Sequence, residues 1–224
     1  MIVNYLNNFF PPQEYIKMML SKSEVSRASH EPEKEQSLDF FYALKNHLEI
    51  KTRCSFLVED IPYHLTPREK VVELAKIAAR TIPNFDTFLN LFEIKDPASL
   101  AEIAKIVAEH IIFMIKEDRR KGFHYVYNDH DFNIKSYSIE DQKDLMDIAM
   151  MLAEEYPEKL YCQMGDFGIN EEENRITLAI KVAENTDDQI LAMYIKGFKI
   201  ANPQALYEIA MILAKKPISQ LFLI

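Results

Sequence analysis

Residues 137–183 read YSIEDQKDLMDIAMMLAEEYPEKLYCQMGDFGINEEENRITLAIKVA, and within them the chain repeats itself. Tyr137 and Phe167 each stand two residues before an isoleucine, Ile139 or Ile169. Each also stands twelve and sixteen residues before a pair of alanines, Ala149 and Ala153 or Ala179 and Ala183. With the aromatic as position zero, three more starts fit without gaps: Tyr63, Phe92 and Phe198. Position two is then Leu65, Ile94 and Ile200, position twelve Ala75, Ala104 and Ala210, and position sixteen Ala79, Ala108 and Ala214. A unit of about 30 residues recurring five times is the signature of a repeat architecture.

Between the alanines lie large apolar residues at helical spacing, as in Leu100, Ile103 and Val107 or Leu206, Ile209 and Leu213. Each unit therefore holds an amphipathic helix of about four turns. Small residues four apart on its buried face let a neighbouring helix approach closely. Helix starts are marked by Asp96 before Pro97 and Asn202 before Pro203, an N-cap ahead of a first-turn proline. Thr66 with Glu69, and Asn170 with Glu173, have capping-box spacing. A second, shorter helix is expected over 84–91, 157–164 and 186–196. Units of this kind are helix pairs, and one pair alone cannot bury its apolar stripe. The expected fold is all-α, an α-solenoid of stacked helix pairs over residues 63–224.

The F-x-I corner followed by a helix with spaced alanines resembles a repeat found in long proteins of intracellular bacteria. It is more distantly similar to tetratricopeptide and Sel1-type repeats, without the Trp, Gly and Tyr signature of the former. The resemblance spans 63–215 and implies a scaffold, one that some bacteria deliver into a host cell. It implies no catalytic residue.

Residues 1–62 fall outside the register and read as an N-terminal helical cap, with helices expected at Pro12–Leu20 and Ser37–Ile50. The stretch SKSEVSRASHEPEKEQ at 21–36 is polar, without apolar period, and is expected to be a loop. The formal net charge is −9, and neither the cap nor the repeat region is basic, which argues against a nucleic-acid partner. No run of about 18 apolar residues occurs, so no membrane span is expected, and the first twenty residues lack the pattern of a signal peptide. Cys54 and Cys162, the only cysteines, point to a reducing, cytoplasmic setting and read as packing residues.

Three places break the repeat. Between the starts at 92 and 137 lies an insertion at 121–136, in which Phe123, Tyr125 and Tyr127 alternate before a polar turn and Phe132 and Ile134 alternate after it; a short hairpin is one reading. The same segment gathers His124, Asp129, His130 and Asp131, four potential metal ligands, although Asp and Asn around His are also ordinary turn residues. At position eight Arg175 replaces the aliphatic residues of the other units, either snorkelling at the stripe's edge or facing a groove. The chain also ends at ISQLFLI, half a unit after Ala214, where an apolar terminus offers a route to self-association.

No nucleophile elbow, P-loop, H-E-x-x-H helix or C-x-x-C pair is present, so no enzyme and no cofactor is expected. The leading expectation is an interaction scaffold for a protein partner, contacted through Phe123, Tyr125, Tyr127 and Arg175. A metal-dependent enzyme or regulator centred on 124–131 is the alternative. A structural piece of a longer array is the third.

Overall fold

A computed structural model describes residues 32–55, 61–121, 132–186 and 194–216. Among these residues the regular structure is helical throughout, with no strand. Seven α-helices follow in chain order: α1 Pro32–Thr52, α2 Pro67–Ala79, α3 Pro97–Arg120, α4 Gln142–Glu155, α5 Pro157–Gln163, α6 Glu172–Asn185 and α7 Pro203–Leu213. Short 3-10 turns stand at Phe85–Thr87, Leu89–Phe92, Ile134–Tyr137, Met164–Asp166 and Ile195–Phe198. Among the described residues no helix is long and apolar enough to cross a membrane. The chain divides into two compact units, Met1–Ala78 and Ala79–Ile224.

In the first unit, α1 buries Phe41, Leu44 and Leu48, one stripe of the expected amphipathic helix. It begins at Pro32 rather than Ser37, so residues 32–36 of the expected loop are helical. Proline suits a first turn, and Glu, Lys and Gln are good helix formers, which polarity alone does not reveal. Residues 21–31 and the helix expected at Pro12–Leu20 lie outside the described residues. The capping box on α2 forms: the Thr66 N–H donates to Glu69 Oε2 at 2.7 Å and the Glu69 N–H to Thr66 Oγ1 at 3.4 Å. Tyr63 departs from its register, for it is 90% exposed whereas the other four position-zero aromatics are buried.

In the second unit, α3 packs on α4, α4 on α6, and α6 on α7, while α5 touches both α4 and α6. At positions twelve and sixteen, Ala104, Ala108, Ala149, Ala153, Ala179 and Ala183 are all buried, so the close approach expected of small residues is realised in α3, α4 and α6. Ala210 and Ala214, in the same register at α7, are exposed. Asp96 caps α3 by accepting from the Ser99 N–H at 2.9 Å, and Asn202 caps α7 by accepting from the Gln204 N–H at 2.9 Å.

Four local expectations are corrected. Residues 84–91 form 3-10 turns, not an α-helix, because Asn84 is left-handed (φ 56°) and interrupts the run after Pro83. The 132–136 half of the expected hairpin leads into the 3-10 turn Ile134–Tyr137, where the Asn133 side chain accepts from the Lys135 N–H at 3.2 Å. Alternation there reflects Phe132 and Ile134 both being buried by a turn. Asn170 does not cap α6; Glu171 is its N-cap, without a side-chain bond. Cys162 is exposed on α5 rather than packed. Of the helix expected over 186–196, residues 187–193 lie outside the described residues.

Candidate binding groove

In the second unit α3, α4, α6 and α7 are each entered through the same corner. The position-zero aromatics Phe92, Tyr137, Phe167 and Phe198 are buried. The next residue is left-handed in every case, at Glu93 (φ 51°), Ser138 (φ 49°), Gly168 (φ 64°) and Lys199 (φ 51°). Two residues then lead to the N-cap at position four: Asp96, Asp141, Glu171 or Asn202. The left-handed residue reverses the chain so that the aromatic points inward while the following helix starts in a new direction.

Successive corners are tied by side chains at position five. The Gln142 amide bridges to the next corner, donating from Nε2 to the Gly168 carbonyl at 3.2 Å and accepting at Oε1 from the Asn170 N–H at 2.9 Å. One unit later Glu172 Oε1 accepts from the Ala201 and Asn202 N–H groups at 2.6 and 2.9 Å. Those two amides hold the Glu172 carboxyl below the usual glutamate range. Arg175 belongs to the same system. Its Nη1 donates to the carbonyls of Ile169, at 3.1 Å, and Asn170, and its Nη2 to that of Lys199 at 3.4 Å. Both terminal nitrogens are thus directed at main chain, of its own corner and of the next.

The corner at 132–137 is anchored from elsewhere. The Asp86 carboxylate accepts from the Asn133 N–H and from the Tyr137 hydroxyl. Burial, reinforced by the Asp86 charge, raises the Tyr137 hydroxyl far above the usual phenol range, so it remains a proton donor. Phe132 stacks against the Tyr137 ring at 6.0 Å between centroids.

Between the corners at 134–140 and 166–170 lies an open groove of about 420 Å³. Ile134, Leu145 and Phe167 form its buried floor, Ile139 is half-buried, and Ser138, Gly168 and Asn170 lie along it. Lys135 and Asp166 form an ion pair at its rim, one residue from each corner. Nothing lies within 4 Å of where a Gly168 side chain would begin, so the groove is clear above it. Three other corners carry a side chain at this left-handed position, so φ alone does not require glycine there.

Of the residues singled out by sequence, Phe123, His124, Tyr125, Tyr127, Asp129, His130 and Asp131 lie outside the described residues. Arg175 is the one whose surroundings are described. Among the described residues no cluster of three His, Cys, Asp or Glu side chains is placed to hold a metal. Gln142, Glu172 and Asp86 were not legible as site residues. Position five carries Arg68, Pro97 and Pro203 in the other units, so the register did not mark it. No protein-family model, curated protein or solved structure matches the chain.

Proposed function

We propose that this protein is an interaction scaffold, an α-solenoid of stacked helix pairs whose corners receive an extended segment of a protein partner. One observation carries the reading: two successive corners, held in fixed register by the Gln142 amide, leave an open groove between them with a clear path over Gly168. Rigid spacing lowers the ordering cost of binding, since less of the surface must be fixed on association. The floor is apolar and the rim carries Lys135, Glu140 and Asp166, a mixture typical of a protein-binding surface. A volume of this size is within the range of small-ligand sites, but such sites enclose most of their ligand. An open trough fits a chain passing through it better. A cytoplasmic setting accords with the exposed thiol of Cys162.

Photocrosslinking tests the proposal, with the reactive group placed at Ser138 in the groove and, as a control, at Glu184 near the far end of α6. Proteins captured from Ser138 alone, and lost when Gly168→Lys fills the groove, are the expected result. Lysine already occupies the equivalent left-handed site at Lys199, and circular dichroism of Gly168→Lys checks that its fold is kept despite the strain of a side chain at φ 64°. Identical capture from both positions, or capture indifferent to Gly168→Lys, would overturn the groove as the docking site.

A further inference from the structure

Position eight is filled differently in two successive gaps between corners. In the gap after the corner at 167–171 it is Arg175, whose guanidinium donates to the carbonyls at positions two and three of its own corner, Ile169 and Asn170, and to the Lys199 carbonyl of the next. In the gap before it, position eight is Leu145, buried in the floor of the groove. The matching carbonyls there belong to Ile139 and Glu140, and the matching left-handed residue is Gly168. All four residues bound the groove. Leucine is shorter than arginine and has no N–H to offer, so the room that a guanidinium fills in one gap is open in the other. Charge follows the same pattern. The filled gap has its carboxylate at position five: after the Ala201 and Asn202 amides, the Arg175 guanidinium also lowers the Glu172 carboxyl. The open gap has neutral Gln142 there and its carboxylate at position three, on Glu140, where the filled gap has Asn170. Glu140 is exposed and makes no ion pair among the described residues, whereas Lys135 and Asp166 on the rim neutralise each other.

We infer that the groove receives the guanidinium of an arginine in the partner's extended segment, in the place that the chain fills for itself with Arg175 one unit later. The guest's planar fork donates to the Ile139 and Glu140 carbonyls, and its charge faces the Glu140 carboxylate. Its aliphatic stem lies over Leu145 on the apolar floor, as long cationic side chains do elsewhere. The Gly168 carbonyl already accepts from Gln142, so two carbonyls and one carboxylate are left for the guest. Lysine fits less well, because a single ammonium cannot span two carbonyls in one plane. The assignment rests on the groove being the docking site, and it narrows the partner to one whose bound segment carries arginine.

Blocked arginine, acetylated at its amine and methylamidated at its carboxyl, is titrated into the isotope-labelled full chain at constant ionic strength and followed by amide NMR shifts. Saturable shifts at Ser138, Glu140 and Gly168 with a Kd of about 1 mM are expected, the affinity of a fragment of this size. Blocked lysine keeps the charge without the fork, and blocked citrulline the shape without the charge. Each should bind about fivefold more weakly or worse. Glu140→Gln should weaken the arginine probe about threefold, whereas Glu208→Gln, the same charge change on α7, should leave it unchanged. Both glutamates are exposed, so both variants keep the fold. Shifts that do not saturate by about 10 mM overturn the site. So does lysine or citrulline binding as well as arginine, or an equal effect of the two variants. Crosslinking from Ser138 separates this failure from failure of the groove. Capture that Gly168→Lys still abolishes, with no arginine binding, removes the arginine and leaves the groove standing; failure of both removes the groove as well.

Discussion

Replacing Tyr137 with Phe removes one oxygen and nothing else, and its consequence can be worked from the surroundings of that oxygen. The ring is fully buried and stacked on Phe132, so Phe fills the same space and leaves no cavity. What is lost is the hydroxyl's bond to the Asp86 carboxylate, a contact between residues 51 apart in sequence. A hydrogen bond to a charged acceptor contributes about 1.5–3 kcal/mol. For a protein of this size each kcal/mol moves Tm by about 2–4 °C, so Y137F should melt roughly 3–12 °C below wild type in calorimetry. Asp86→Ala should cost less in the Y137F background than in wild type, because the two partners share one interaction. The alkaline limb gives a second signature. Burial raises the Tyr137 hydroxyl above its unfolded value, so its contribution is complete below about pH 10, where free tyrosine ionises, and is lost as pH rises beyond it. Wild type should therefore lose stability more steeply than Y137F above that pH. A Tm for Y137F within about 1 °C of wild type would refute the reasoning.

Other consequences follow from the ties between corners. Glu172 is held ionised by two backbone amides, so its contribution is present above the usual glutamate range and is lost as pH falls through it. Glu172→Gln should melt below wild type at neutral pH, with the gap closing as pH falls below the usual glutamate range; a gap that widens on acidification contradicts the assignment. Arg175→Lys keeps the charge but loses the planar fork that reaches three carbonyls, and should lower stability by about 1–2 kcal/mol in urea unfolding. An unchanged midpoint would mean those contacts contribute nothing.

The helices were readable because their determinants are local. Apolar period, Asp96–Pro97, Asn202–Pro203 and the Thr66–Glu69 box act within one or two turns, and each is found where the sequence placed it. The corners were half readable. A buried aromatic at position zero was visible from its recurrence, but nothing in Glu93, Ser138 or Lys199 announces a left-handed backbone, since the conformation is imposed by the elements on either side. Tyr63 shows the reverse error, for the residue type matched while its surroundings differ, and burial depends on the surroundings. The ties were not readable at all. Gln142 meets residues 26 and 28 positions away and Asp86 meets residues 47 and 51 away, distances at which one sequence carries no pairing signal. Arg175 drew notice because it broke the stripe, and its place is explained by main-chain carbonyls of its own corner and of the next.

One sequence register is interior in α4 and exterior in α7, and a matched pair of substitutions reads that difference directly. Ala149→Leu and Ala210→Leu make the same change at position twelve of two units. Urea unfolding should be run on each. Ala149 is fully buried, so leucine there should overpack and cost about 1–3 kcal/mol. Ala210 is exposed, and leucine there should stay within about 0.5 kcal/mol of wild type. Equal losses at the two positions, or none at Ala149, would contradict this placement of the register.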